Sequence, residues 1–387
     1  MVNCNICGRN LEEIINLPKL PFTGEFRSPD VPINEAYCDQ SFLYCESCGH
    51  GQLKKLINPS ELYKDNYTFR TAASKTSCLG YDFFINFLMD IFPDMPFKRI
   101  VEFGCNDCYA LNKLKGHGRQ LLGSDLIYEG KEYKSEDSEI MITGESIENT
   151  DFKRYFSKPP DLVFSCHTME HIHLPKLLIE KLFEMTSDKT VFAFEFPCLD
   201  ILVKNIRFDQ IFHQHVNYYS ESSISKLIDE LGAEIIARRF NWAHWGSMMV
   251  VIKKKINKNI DKKEYNYVKL NLNDISERYE LFKSQMIICG NFMNECEHLY
   301  GFGAAQMLPI LKYHLGEPFS LVKQIIDDDH NKIGLKYKNI DLDIVNPDKI
   351  EYNSSDILLT ALDNRRQIIS RLASLNPRRI INPISIT

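Results

Sequence analysis

The chain has 387 residues, 25% of them charged, and a net charge of -6, which is length enough for two or three domains with sizeable cores. No basic excess marks a nucleic-acid partner, and no apolar run is long enough to span a bilayer. Twelve cysteines, behind an N-terminus that lacks a secretory apolar stretch, point to a cytoplasmic chain with reduced thiols available as metal ligands.

In chain order, residues 1–60 come first. Cys4-x-x-Cys7 and Cys45-x-x-Cys48 are each followed by a glycine, Gly8 and Gly49, and four prolines punctuate the loop between the pairs. Four thiolates at this spacing close a tetrahedral zinc site, and with no position left open that zinc is structural. Cys38 and His50 are weaker spare ligands. Cys78, Cys166, Cys198, Cys289 and Cys296 are scattered and read as small hydrophobes. An aromatic, polar loop over 62–71, carrying Tyr67, is expected to cross a cleft, and the spacing predicts a helix over 74–91.

The stretch Arg99-Ile-Val-Glu-Phe-Gly-Cys-Asn-Asp-Cys-Tyr109 reads as a buried strand, a tight turn at Gly104 and a helix opening on Asn106-Asp107. This is how α/β proteins present free N–H groups to a ligand. About twenty residues on, a second apolar strand ends in Asp125, at the right distance for a carboxylate that accepts from a ribose diol. The turn has one glycine where a dinucleotide fingerprint has three, and Glu102 would repel a phosphate. An acid there suits the cationic end of S-adenosylmethionine better than NAD. Cys105 and Cys108 are packing residues of the turn. Further strands are expected at 139–143, 161–165 and 190–195, with a helix over 175–185, so the core is a doubly wound parallel sheet. Ligands lie at the carboxyl ends of such strands, which aligns Gly104, Asp125, Cys166-His167 and Glu195 on one rim, with Glu145 as a contact for an adenine amino group.

Histidines gather in three places. His167-Thr-Met-Glu-His171 matches a zinc-peptidase pattern in letters only, because it follows a strand directly instead of sitting within a helix. His213 and His215 alternate along what reads as an extended segment, so they point the same way and can bind metal with His244 as third ligand; general acid/base work is the better reading. His244-Trp-Gly-Ser247 is a turn before another strand. After a lysine-rich linker at 253–263 and a long polar helix, Tyr300-Gly-Phe-Gly-Ala-Ala305 repeats the strand–turn–helix grammar, and Gly303 can cradle a phosphate. The expected division is a zinc module (1–60), an S-adenosylmethionine-binding core (61–255) and a smaller Rossmann-like domain (256–387).

Together these pieces resemble the three-domain S-adenosylmethionine-dependent C-methyltransferases that modify nucleotide-linked 4-keto-deoxysugars. The paired C-x2-C motifs resemble that family's zinc module. Val101-Glu-Phe-Gly-Cys-Asn-Asp is similar to its V-E-I-G-S-N-D-G turn, with Cys108 in place of the last glycine. Phe208-Asp-Gln-Ile-Phe-His-Gln-His-Val-Asn-Tyr-Tyr-Ser220 resembles its F-D-x-x-Y-H-E-H-x-x-Y-F-S run. His244-Trp-Gly-Ser247 resembles its H-G-G-S turn, and Tyr300–Ala305 its Y-G-A-x-x-K signature, where Gln306 or a neighbour replaces the lysine. The resemblance implies an enzyme that transfers a methyl group to carbon through an enolate, with His215 as base, His171 near the substrate and Tyr67 as a substrate contact. His213 and Gln214 flank the base, and Phe212, His244, Ser247 and Gly303 are expected on the substrate side. The partner implied is a small molecule, with the chain a monomer or weak oligomer. Phe212 and Gln214 stand where the motif has tyrosine and glutamate. The loss of that hydroxyl and carboxylate weakens support for an enolate and favours an oxygen or nitrogen acceptor as the alternative. A zinc-ribbon adaptor without catalysis is the second alternative.

Overall fold

A computed structural model describes residues 2–58, 62, 70–116, 118–135, 139–255 and 269–384. Tyr67 and most of the lysine-rich linker lie outside the described residues. The N-terminal strands are β1 (Glu12–Pro21), β2 (Phe26–Arg27), β3 (Tyr37–Cys45) and β4 (His50–Leu53). The middle of the chain adds β5 (Arg99–Phe103), β6 (Gln120–Ser124), β7 (Glu132–Lys134), β8 (Ile140–Thr143), β9 (Leu162–Cys166), β10 (Val191–Phe196), β11 (Asn217–Tyr218), β12 (Ala233–Asn241) and β13 (Ser247–Lys254). The last third supplies β14 (Leu299–Phe302), β15 (Val322–Ile326), β16 (Lys336–Tyr337), β17 (Ile340–Val345), β18 (Asp356–Leu359) and β19 (Arg379–Ile381).

The central sheet runs β12-β13-β10-β9-β5-β6-β8-β7. The five strands from β10 to β8 are mutually parallel, while β13 inserts antiparallel between β10 and β12. Every residue of β9 and β10 is buried, as expected for parallel strands covered on both faces. The two faces separate by alternation: Ile100, Leu121, Leu162 and Phe164 pack under the helix Lys75–Ile91, whereas Val101, Leu122 and Val163 pack on the opposite side with the helix Pro175–Met185. Ser74 caps the first of these helices, and Pro175 opens the second, where its missing N–H costs nothing.

The strand before the ligand turn is as expected, but the helix after it begins at Tyr109, not at Asn106-Asp107. Asn106 and Cys108 both adopt left-handed backbone (φ 47° and 61°), which lengthens the turn before a helix can start. The last third forms a second sheet in which β19-β18-β14-β15-β17 are parallel. Strands also cross between units. β11, from the middle of the chain, pairs with β4 of the N-terminal sheet, and β2 pairs with β16 of the C-terminal one. Among the described residues no helix is long and apolar enough to cross a membrane.

Candidate active site and zinc cluster

Two knuckles build the cysteine cluster. Gly8 N–H donates to Cys4 O (2.9 Å) and Gly49 N–H to Cys45 O (2.7 Å), with both glycines at positive φ. These turns bring Cys4 Sγ to 3.6 Å from Cys48 and Cys7 Sγ to 3.5 Å from Cys45, and all four sulfurs lie within 4.8 Å of one another. Four convergent thiols at this spacing fit a tetrahedral ion. Cys38 is outside the cluster, its thiol donating to Asp39 O. His50 is buried and engages Asn217 Oδ1 through Nε2 (3.0 Å). Of the scattered thiols, Cys78 and Cys296 are only half-buried.

A cavity of about 470 Å³ opens at the carboxyl ends of β5, β6, β8 and β9, lined among others by Gly104, Asn106, Asp125, Glu145, Cys166 and His167. Asp125 is held in place by Asn106 N–H (2.8 Å) and Ile127 N–H (3.0 Å), and burial raises its carboxyl above the usual range. Gly104 has φ +66°, and a Cβ there would come within 2.0 Å of Thr168 Oγ1, so glycine is required on both counts. Two expected cofactor contacts are elsewhere. Glu102 is completely buried behind the cavity wall, and burial pushes its carboxyl well above the usual range. Asp107 does not line the cavity; it is half-buried and accepts from Ala72 N–H (2.8 Å).

The expectation that His213 and His215 extend side by side does not hold. The backbone turns there, with His215 N–H donating to Phe212 O (3.1 Å), so the two imidazoles diverge. His213 faces the N-terminal sheet, bonded to Leu20 O (3.0 Å) and packed on Phe22. Gln214 also faces away, accepting from Thr23 Oγ1 (2.8 Å). His215 turns toward the core instead, its ring 4.9 Å from that of His171 and 4.1 Å from Phe212. His171 Nδ1 donates to Gln214 O (2.7 Å), which fixes its tautomer.

Glu170, in the short turn Met169–His171, was not singled out from the sequence. Its motif was legible, but only folding shows that this carboxylate is the shared neighbour of three imidazoles. Oε1 lies 3.4 Å from His167 Nδ1 and 3.9 Å from His215 Nε2. Burial alone would raise its pKa, but the adjacent His167 imidazolium holds it at about 2. Burial opposes a charge on His167, yet Glu170 and Glu195 on its two sides bring it up to about 10. Burial keeps His215 well below the ordinary imidazole range, so it is neutral near pH 7.

Ser247, expected to touch substrate, is completely buried and donates to Glu195. Gly303 is likewise internal, closed against Ala361, with its carbonyl accepting from Thr360 Oγ1 (2.7 Å). His244 lines both the main cavity and a smaller one of about 210 Å³, which reaches the last domain at Gln306, Lys332 and Asp363. Lys332, another residue missed in the sequence, donates to Ala304 O (3.1 Å). It lies about thirty positions beyond the glycine turn, too far for motif spacing to reveal.

Sheet order, cavity and cysteine cluster fit a methyltransferase domain joined to a zinc-binding module. Residues 81–238 match the family model described as a methyltransferase domain, and residues 4–63 match one described as a putative zinc binding domain. The C-methyltransferase NovU of Streptomyces niveus is 21% identical over 253 residues, or 64% of this chain and 59% of that protein. The match thus spans less than two thirds of that relative's length. Among solved structures, the S-adenosylmethionine-bound magnesium protoporphyrin IX methyltransferase of Synechocystis PCC 6803 is 12% identical, covering 46% of this chain and 80% of that one at a TM-score of 0.34. PH0226 of Pyrococcus horikoshii OT3 is 14% identical, covering 50% and 100% at a TM-score of 0.37. The cofactors are S-adenosylmethionine for the core and a structural zinc for the module.

Proposed function

We propose that the protein methylates carbon on a nucleotide-linked keto-deoxysugar, with His215 removing the proton next to the ketone. The observation that carries this reading is the pair formed by a neutral, buried His215 and the Glu170 carboxylate 3.9 Å from it. A neutral imidazole is ready to accept a proton, and a fixed carboxylate stabilises the imidazolium that results. Glu170 thereby takes the part of the motif's glutamate, since Gln214 is committed to Thr23.

Asp125, Asn106 and Glu145 are the residues that would hold S-adenosylmethionine, Asp125 at the ribose and Glu145 toward the adenine. When bound, the cofactor supplies an electrophilic sulfonium methyl. His171, on the cavity wall beside His215, orients the acceptor. The smaller cavity, with Lys332 and Gln306 on its wall, suits the charged nucleotide portion. In this division of labour the zinc module (1–60) steadies the histidine turn, the core (61–255) binds the methyl donor and the last domain (256–387) holds the nucleotide. The name of the Streptomyces relative, a C-methyltransferase, supports carbon as the acceptor.

A second reading, transfer to oxygen or nitrogen, is favoured by Phe212. Its ring packs 4.1 Å from His215 where the motif has a hydroxyl to carry a proton. The deciding experiment supplies S-adenosylmethionine with a carbon-13 methyl and a panel of keto and reduced nucleotide sugars, and reads the product by NMR. A methyl on carbon supports the first reading and one on a heteroatom the second. No transfer across the panel overturns both.

A further inference from the structure

Away from the cysteines, His167, Glu195 and His244 bring three potential metal-ligating side chains together; Glu170, His171 and His215 form the neighbouring group. The ligand atoms of the first group all lie within 4.8 Å of one another. His167 Nε2 is 3.3 Å and His244 Nδ1 is 3.8 Å from the same oxygen, Glu195 Oε1, and the two rings are 4.0 Å apart. The second distance is too long for a hydrogen bond, and His244 Nδ1 has no hydrogen-bond partner although it is buried. Ligand atoms around one ion at metal–ligand distances of about 2.0–2.2 Å stand roughly 3–3.6 Å apart, so a small closure of the His244 ring would complete the set.

The surroundings are those of a prepared site. Glu195 is anchored by Asn241 Nδ2 (2.9 Å) and by the Ser247 hydroxyl. His167 turns its other nitrogen, Nδ1, to Glu170 (3.4 Å), the carboxylate–histidine–metal relay that orients ligating imidazoles. His167 rises from a left-handed backbone (φ 52°) immediately after β9. A non-glycine residue in that region is uncommon and is held there by its surroundings. We propose that these three residues bind one divalent transition ion such as zinc, iron or cobalt, the ions suited to two imidazoles and a carboxylate. Three protein ligands leave coordination positions open, as in catalytic rather than structural sites. Because His244 borders both cavities, those positions face the junction between them, where an acceptor oxygen can bind. The proposal does not depend on which acceptor is methylated.

The test loads the full metal-stripped chain with cobalt(II) and reads both sites separately. The cysteine cluster gives intense sulfur-to-cobalt charge-transfer bands, whereas a nitrogen–oxygen site gives only weak visible bands. The expected stoichiometry is about two ions per chain, falling to about one in His244→Ala and in Glu195→Gln. The retained sulfur bands report that each variant is folded. Glu170→Gln, which keeps all three ligands but weakens the support of His167, is expected to weaken the second ion by about tenfold or more in the cobalt titration, whatever it does to turnover. About one ion in the wild-type chain, or a second ion that survives both ligand substitutions, would overturn the proposal and leave His167 as an imidazolium held between two glutamates.

Discussion

Glu170 lies beside His215, Oε1 to Nε2 at 3.9 Å, both of them buried, with His167 and His171 as further imidazole neighbours. Its charge raises the basicity of His215 against the burial that lowers it. In Glu170→Gln the acid limb of the pH–rate profile is therefore expected at lower pH, with kcat reduced by about tenfold or more. Affinity for S-adenosylmethionine should be nearly unchanged, and His215→Ala should abolish turnover with the same affinity retained. A profile that does not move in Glu170→Gln would remove Glu170 from any part in tuning the base.

The zinc module is bonded to the segment that carries the base. Leu20 holds His213, Thr23 holds Gln214, and β4 pairs with β11 immediately after His215. Removing zinc with a chelator is expected to lower both stability and kcat, with recovery on adding zinc back, because metal binding and folding are one equilibrium in such modules. Calorimetry and turnover measured on the same stripped sample check this. Full activity in metal-free protein would separate the module from catalysis.

Gly104→Ala places a methyl group 2.0 Å from Thr168 Oγ1 at a φ of +66°. The strain is on the order of 1–3 kcal/mol, and it falls on the turn that carries Asn106. Titration calorimetry should show affinity for S-adenosylmethionine reduced by tenfold or more. Wild-type affinity would mean that the turn does not shape the cofactor site.

His314 provides a pH test remote from the site. It is enclosed by Phe282, Tyr279 and Tyr313, and burial drives its pKa from 6.5 to about 3. The unfolded chain therefore binds a proton at this residue between these values that the folded chain does not, so stability falls as pH drops below 6.5. The loss at pH 5 is about 2 kcal/mol. His314→Leu should flatten the stability curve between pH 6.5 and 5 in urea titrations, and an unaltered slope would show that His314 is not its source.

Local order and residue chemistry made much of this molecule legible from its sequence. The buried strands around Val101, Val163 and Phe192, the helix Pro175–Met185 and the four cysteines follow from apolar runs, a proline at a helix start and fixed short spacings, all of which act within a few residues. The pairing of Glu170 with His215, separated by 45 positions, has no such local signature. Nor does the divergence of His213 from His215, which a turn at Phe212 imposes, or the engagement of Asp107 by the Ala72 N–H, 35 positions earlier. The N-terminal sheet captures Gln214 while the core captures His215. Which neighbour a side chain meets depends on long-range strand pairing and competition for hydrogen bonds, and those are settled only when β4 and β11 come together in the folded chain.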